Sequence, residues 1–303
     1  CTFAEIHYYY KMKHTLKDWV IAVRPWSFPA SAMPVMVTIA WMYAMGHPMN
    51  WWLAAAALVN IVLVHAAGNV WSDYFDYKRG VDREGTYCVK ILTEGLFTPK
   101  EVWWLSVWLQ IVAVALGITL VVLTGWPLLW IGLLGIALSL LYPPLKYCAL
   151  GDVDIVLCYA ILPMIGMTFI SSGSIHWDVL WLAPPVGLIT VAILHANNTR
   201  DIESDRQAKI RTFSMLIGRD ASAWVYVVEV LLPYVWMVLL CVLGIMHWMV
   251  LLTWLSLPMA MNNAHTILGY KKDGAASYDH LDEATAQLQL AFSALLILGL
   301  IAG

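Results

Sequence analysis

The chain has 303 residues, 61% of them hydrophobic and only 12% charged, and its mean hydropathy is +0.72. A soluble domain is nearer half apolar and a quarter charged, so the composition excludes an ordinary soluble protein and implies a polytopic membrane protein. The net charge of −3 identifies no partner, and nothing in the sequence points to a nucleic acid or to a protein partner.

Residues 1–18 form a Tyr- and Lys-rich segment without the apolar core of a signal peptide, and it reads as an N-terminal cytoplasmic segment. Met12 is a candidate native start. Nine apolar runs follow, near 28–45, 51–70, 102–123, 126–141, 155–170, 179–195, 221–246, 248–268 and 286–302. Each approaches the length that a bilayer demands. Trp and Tyr crowd their ends, where amphipathic rings sit at the interface. The five Cys form no paired motif and read as reduced packing residues.

The links between runs alternate in character. Those near His47, Gly125, Gly173 and His247 are short and lack Lys and Arg. All 17 Lys and Arg lie in the other four links or before the first run. Because positive charge is retained on the cytoplasmic side, the expected topology has the N-terminus inside, nine crossings and the C-terminus outside. No linker interrupts the pattern, so residues 1–303 read as one all-α domain in the lipid bilayer.

Two polar clusters stand out. Asn69, Asp73 and Asp76 close the second run, and Asn197, Asp201 and Asp205 close the sixth. Residues four apart share a helix face, so each set forms an oxygen-rich stripe at a helix end. Asn69 to Asn197 and Asp73 to Asp201 are both separated by 128 positions. That offset spans four runs, which implies two parallel four-helix repeats plus a ninth helix, with both clusters on the cytoplasmic side. A single Asn-x-x-x-Asp is ordinarily a cap or a solvated loop. Two copies in register at membrane helix ends argue for a site. Amide and carboxylate oxygens without His or Cys suit Mg²⁺, which keeps waters and binds substrate phosphate. A metal-bridged diphosphate is the expected guest.

Basic residues flank both clusters: Arg24, Lys78, Arg79, Arg200 and Arg206. Lys146, in Tyr142-Pro-Pro-Leu-Lys146, is the only basic residue of its link. Lys and Arg stabilise charge developing on a leaving phosphate, although each also serves as an ordinary positive-inside residue. His65 and His195 precede the clusters without metal-ligand spacing and read as buried, hydrogen-bonded histidines. Glu229 lies within the seventh run, where an acid usually has a partner or a task. Asp152 and Asp154 open the fifth run, where a helix N-terminus favours acids in any case.

Asn69-x-x-x-Asp73 with Asp76, Tyr142-x-x-x-Lys146 and Asn197-Asn-Thr-Arg-Asp-Ile-Glu-Ser-Asp205 resemble the signatures of the UbiA superfamily of intramembrane prenyltransferases. The resemblance covers nearly the whole chain and includes the opening Arg24-Pro-Trp-Ser-Phe-Pro segment. Asp73-Tyr-Phe-Asp76, Gly80-Val-Asp82, Asn-Asn-Thr-Arg-Asp201 and Leu281-Asp-Glu-Ala-Thr-Ala286 are most similar to the MenA branch, which acts on 1,4-dihydroxy-2-naphthoate. Two departures are Lys209, where that branch usually has Gly, and Lys90, where Arg is expected.

The resemblance implies a nine-helix bundle around a central cavity with polar caps over its cytoplasmic mouth. It implies Asn69, Asp73 and Asp76 at one Mg²⁺ pole and Asn197, Asp201 and Asp205 at the other. Arg24, Asn69, Lys78, Lys146, Asn197 and Arg200 would hold the diphosphate, and Asp73, Asp201, Tyr142 and Lys146 would be catalytic. The implied reaction moves a polyprenyl group from polyprenyl diphosphate to an aromatic acceptor in menaquinone biosynthesis, in the inner (cytoplasmic) membrane. Other branches would use 4-hydroxybenzoate, homogentisate, haem or a glycerol phosphate lipid. A cation-coupled transporter would also carry carboxylates in a repeat bundle, but near the bilayer midplane, and a quinone-binding scaffold would leave the four Asp without a task.

Overall fold

In the computed structural model, which describes residues 14–82, 91–274 and 278–303, the described chain is helical apart from turns and one isolated bridge. Lys90 and Met12 lie outside the described residues. A short amphipathic helix, α1 (Leu16–Val23), is closed at its start by a Thr15/Asp18 capping box and ends on Arg24 in the left-handed region, φ 54°. The main helices follow: α2 (Pro29–Ala44), α3 (Trp51–Arg79), α4 (Pro99–Thr124), α5 (Trp126–Tyr147), α6 (Gly151–Ser172) and α7 (Trp177–Arg200). Two short helices, α8 (Ile202–Gln207) and α9 (Phe213–Ile217), lead to α10 (Arg219–Val242). The chain ends with a broken helix, α11 (Trp248–Ser256 and Leu257–Leu268), a turn of helix, α12 (Tyr270–Asp273), and α13 (Leu281–Ala302).

Seven of the described helices, α3 to α7, α10 and α13, are long and apolar enough to cross a membrane. The other two expected spans are shorter or broken. α2 has 16 residues, and the 248–268 run begins as nine residues of tight 3₁₀ winding before twelve of α-helix.

Several helices overrun the bounds expected from hydropathy. α3 continues to Arg79, and Gly80 at φ 72° then ends it, since only glycine takes that region without a Cβ penalty. α5 continues past Tyr142-Pro-Pro, which the sequence pattern places in a loop. Pro144 lacks the N–H that would bond Leu140, and the Trp71 indole donates to that freed carbonyl at 3.3 Å. Neighbouring helices can re-satisfy a backbone group inside a membrane protein in this way. Lys146 is therefore a helical residue.

The stripe Asn197–Asp201–Asp205 does not lie on one unbroken helix. α7 ends at Arg200 and Asp201 caps it. Asp201 N still bonds Asn197 O at 2.9 Å, and Asp205 N bonds Asp201 O at 2.8 Å, so helical spacing survives the break.

Neighbour packing closes the bundle. α3 packs on α4, and α7 on α10. α13 lies along α2, α7 and the first part of α11. α7 approaches α6 closely at Gly187, where a Cβ would stand 3.1 Å from the Ala160 Cβ. After α8 the chain returns to the end of α5. Arg211 N donates to Tyr147 O at 3.1 Å, and Val81, Tyr147 and Ile210 form a small apolar cluster. This tie folds the loop after the second Asp cluster over the same end of the bundle as the first.

Candidate active site

The first pole is built on the last turns of α3. Asp73 and Asp76 are buried, at 3% and 6% exposure. Arg24 pairs with Asp73 Oδ1, and the left-handed turn at Arg24 aims its side chain back from α1. Asp76 accepts from Tyr147 Oη at 2.7 Å, Lys146 Nζ at 3.1 Å and Ser72 Oγ at 3.3 Å. Asn69 donates to Ser27 Oγ at 3.0 Å and to Val23 O at 3.3 Å. One helix end thus gathers ligands from α1, α3 and α5.

The second pole is organised by Arg200. Its guanidinium forks onto Asp201, with Nε 2.9 Å from Oδ1 and Nη2 2.8 Å from Oδ2. Nη2 also donates to Asn197 Oδ1 at 2.8 Å, and Nη1 reaches Asp279 O at 2.9 Å and Asp282 Oδ1 at 3.4 Å. In this structure Arg200 serves its own motif and ties α7 to the start of α13. Asp205, on α8, is buried at 3% exposure.

Both poles face a single cavity of about 840 Å³. Of the expected site residues, Arg24, Asn69, Asp73, Asp76, Tyr142 and Lys146 line it, and so do Asn197, Arg200, Asp201 and Asp205. Lys78 does not. It is exposed on the far side of the α3 terminus, 5.7 Å above the Tyr74 ring. The 100° step of a helix turns it away from a face that Asn69, Asp73 and Asp76 share, so Lys78 stands apart from the cavity that the other expected diphosphate ligands line. Arg206 is likewise exposed, pairing with Glu203 at 2.8 Å.

Three further residues enter the site. Tyr147 follows Lys146 on α5 and meets Asp76. Asp82, two residues past the Gly80 cap, lines the cavity, and Asp282 braces Arg200. Gly80-Val-Asp82 carries the sequence signal for Asp82 and Leu281-Asp-Glu-Ala-Thr-Ala286 that for Asp282; Tyr147 is a partner that only the fold assigns. Glu229 faces His195 Nδ1 at 3.3 Å, and His195 Nε2 shares a 2.7 Å hydrogen bond with Ser222.

The electrostatics follow from crowding. Burial raises the Asp82 carboxyl to about 7, and the charges of Asp76 and Asp73 add to the effect. Burial also raises Asp205 to about 7, against the opposing pull of Lys146. For Arg24 burial acts downward, but the charges of Asp73, Asp82 and Asp76 outweigh it and hold the guanidinium above its ordinary value. The site therefore has more carboxylates than its own cations neutralise.

That arrangement fits Mg²⁺. The donors are carboxylate and amide oxygens, which are hard ligands. Asp73 Oδ2 is buried with no hydrogen-bond partner among the described residues. No group of three His, Cys, Asp or Glu side chains stands in metal-binding geometry among those residues.

The UbiA prenyltransferase family matches residues 32–279. The chain is a member of that family, and it is a prenyltransferase enzyme. It is 31% identical over 289 residues to the UbiA prenyltransferase domain-containing protein 1 of Gallus gallus, covering 93% of this chain and 84% of that protein. It is 34% identical over 228 residues to the Xenopus tropicalis protein of the same name, covering 73% and 66%. Among solved structures, a UbiA homolog from Aeropyrum pernix K1 superposes with a TM-score of 0.67 at 16% identity, over 91% of this chain and 97% of that one. A UbiA homolog from Archaeoglobus fulgidus bound to GPP and Mg²⁺ superposes with a TM-score of 0.59 at 12% identity, over 92% and 99%. These likenesses show the fold; the relatives are of the UbiA-domain-containing-1 type and leave the branch open.

Proposed function

We propose that this enzyme catalyses the Mg²⁺-dependent transfer of a polyprenyl group from polyprenyl diphosphate to an aromatic acceptor. The observation that carries this reading is the convergence of two Asn/Asp poles on one cavity that Arg24 and Lys146 also line. The Archaeoglobus relative bound to GPP and Mg²⁺ supports the same guest here.

Asn69, Asp73 and Asp76 would hold one metal pole, and Asn197, Asp201 and Asp205 the other. Bound Mg²⁺ neutralises diphosphate and makes it a better leaving group. Lys146 and Arg24, now paired with Asp76 and Asp73, lie where they can donate to the same diphosphate oxygens. Tyr142, on the cavity wall one helical turn before Lys146, would hydrogen-bond the diphosphate in this reading. As the allylic C–O bond stretches, the bond pair leaves with the diphosphate. Aromatic ring faces can stabilise the cation that develops. An electron-rich ring carbon then attacks it.

The site opens to the cytoplasmic side in this reading, with the N-terminus inside, in the cytoplasmic membrane. α2 and α11 complete nine crossings as spans one and eight, and the α3–α4 and α7–α10 pairings correspond as parts of two four-helix repeats. The whole forms one prenyltransferase domain.

The acceptor reading is 1,4-dihydroxy-2-naphthoate, prenylated with loss of CO₂ to a demethylmenaquinol, the reduced form of a demethylmenaquinone. The wording Asn197-Asn-Thr-Arg-Asp201 and Asp73-Tyr-Phe-Asp76 supports it, and such a ring is a good nucleophile whose carboxylate can leave after alkylation. The relatives of UbiA-domain-containing-1 type leave room for a second reading, another aromatic acceptor at the same metal site. Membranes holding the protein are incubated with Mg²⁺, a polyprenyl diphosphate and an acceptor panel, and products are identified by mass. A product heavier by the prenyl group and lighter by CO₂ supports the naphthoate reading. A prenylated product that keeps its carboxylate moves the enzyme to another branch, and no prenylated product at all overturns the function.

A further inference from the structure

Asp154 is an acid of this cavity to which the diphosphate chemistry gives no task. It lies on the first turn of α6 and is only 3% exposed, yet it lines the cavity with Cys158 and Tyr159. Asp73, Asp76 and Asp201 each pair with an Arg or a Lys. Asp154 does not: among the described residues its carboxylate accepts only from Cys158 Sγ, at 3.9 Å. Nor is it a cap, because the first turn of this helix has no side-chain cap bond. A buried carboxylate satisfied by one weak thiol donor is an incomplete arrangement.

Its surroundings suit a phenolic ring. Gly151 lets the start of α6 come close to the end of α5; a Cβ there would stand 3.3 Å from Lys146 Cα. Asp154 is thereby brought beside the phosphate-binding end of α5, and Tyr142 lies within electrostatic reach of both Lys146 and Asp154. One turn further along α6 the hydrogen bonding widens to five-residue spacing over Val156–Ile161. Single turns of this kind are frequent at functional sites. The Tyr159 ring, on that turn, meets the His65 ring edge-on at 4.9 Å. Asp154 therefore shares the cavity lining with the Tyr159 and His65 rings and with Tyr142 and Lys146 at the end of α5.

We infer that Asp154 is the catalytic residue that binds the ring hydroxyl of the acceptor and takes its proton as the ring carbon attacks. The inference rests on the aromatic-acceptor reading above. The hydroxyl proton moves to the Asp154 carboxylate, and the ring pair forms the C–C bond to the allylic carbon. The allylic C–O pair departs on diphosphate. The resulting dienone regains its aromatic ring by losing the displaced ring proton to the released diphosphate, or by losing CO₂ where that carbon bore a carboxylate. Asp154 then returns its proton to the ring oxygen. No oxidant or reductant is needed.

The test uses the full chain in membranes, with Mg²⁺, a polyprenyl diphosphate and whichever aromatic acceptor the wild type prenylates. Asp154→Asn should lower kcat by about 10²-fold or more, the usual contribution of a positioned general base. Its affinity for the polyprenyl diphosphate with Mg²⁺ should stay within about twofold of wild type, since every metal and phosphate ligand is intact. The acid limb of the wild-type pH–rate profile should disappear in the variant, and Asp154→Glu should recover part of the rate. Wild-type kcat and an unchanged profile in Asp154→Asn would overturn the inference. So would a loss of polyprenyl diphosphate affinity that matches the loss of rate, which would make Asp154 a structural residue. A wild type that prenylates no aromatic acceptor would fail the underlying reading instead, and is distinguished by that control.

Discussion

Lys146 Nζ lies 3.1 Å from Asp76 Oδ2 and joins α5 to α3 across 70 positions of sequence. Neither group faces water freely, so each is the other's principal compensation. Removing one partner of such a pair leaves a buried charge, which costs about 3–5 kcal/mol. Tyr147 and Ser72 still donate to Asp76 and reduce that cost. Lys146→Met should therefore lower thermal stability and also cut kcat/KM by roughly 10²–10³-fold, because a donor to the leaving diphosphate is lost. Lys146→Met combined with Asp76→Leu should recover stability but not turnover. Recovery of both in the double variant would reduce the pair to a structural bridge.

Metal dependence separates the two poles from ordinary caps. Asp73→Ala and Asp201→Ala should each abolish turnover, and EDTA should do the same to the wild type. Both variants should remain folded and membrane-inserted, because the poles hold surplus negative charge. Asp201→Ala should be the less stable of the two, since it strips a bidentate partner from Arg200. Thermal unfolding in detergent and product formation give both readouts. Turnover in EDTA, or in either variant, would contradict the paired site.

Sidedness can be read by labelling. In a background without native Cys, Ser174→Cys should react with an impermeant thiol reagent only from outside, and Lys272→Cys only from inside. Both positions are exposed. Reaction of both from the same face would break the nine-crossing arrangement.

The sequence made most of the site legible and much of its geometry not. Asn69, Asp73, Asn197 and Asp201 could be found because spacing and hydropathy are both periodic, and a repeat doubles the signal. Lys78 misled because proximity in sequence does not fix a helix face. Lys146 read as a loop residue because two prolines usually end a helix, and the compensating Trp71 donor is 69 positions from the Leu140 carbonyl it serves. The 248–268 run has the hydropathy of a span, but composition does not encode its 3₁₀ beginning. Lys209 is informative in the opposite direction. It occupies the position where a glycine is expected, and the backbone there has φ 58°. A non-glycine residue in that region carries strain of order 1 kcal/mol, so Lys209→Gly should raise stability by up to about that amount, measured by thermal unfolding.

The last prediction concerns protons. Asp82 and Asp205 are each raised to about 7 in the folded protein from an ordinary carboxyl value of 3.8. Between those limits the folded state binds more protons than the unfolded chain, so stability falls as pH rises. The contribution of these groups is thus fully present below the ordinary value of 3.8, erodes as pH rises towards 7 and is lost above it. Metal-free protein should accordingly unfold at a lower temperature at pH 8 than at pH 6. Cation binding runs the other way, because an oxygen ligand must be ionised to hold Mg²⁺. Affinity for polyprenyl diphosphate with Mg²⁺ should therefore strengthen from pH 6 to pH 8, by up to about tenfold per pH unit for each proton displaced below its pKa. Asp82→Asn should flatten part of that rise while leaving the Asp205 contribution. Titration in buffers of different protonation enthalpy measures the protons released directly. An affinity and a proton release that are both independent of pH between 6 and 8 would show that these carboxyls are already ionised in the empty cavity.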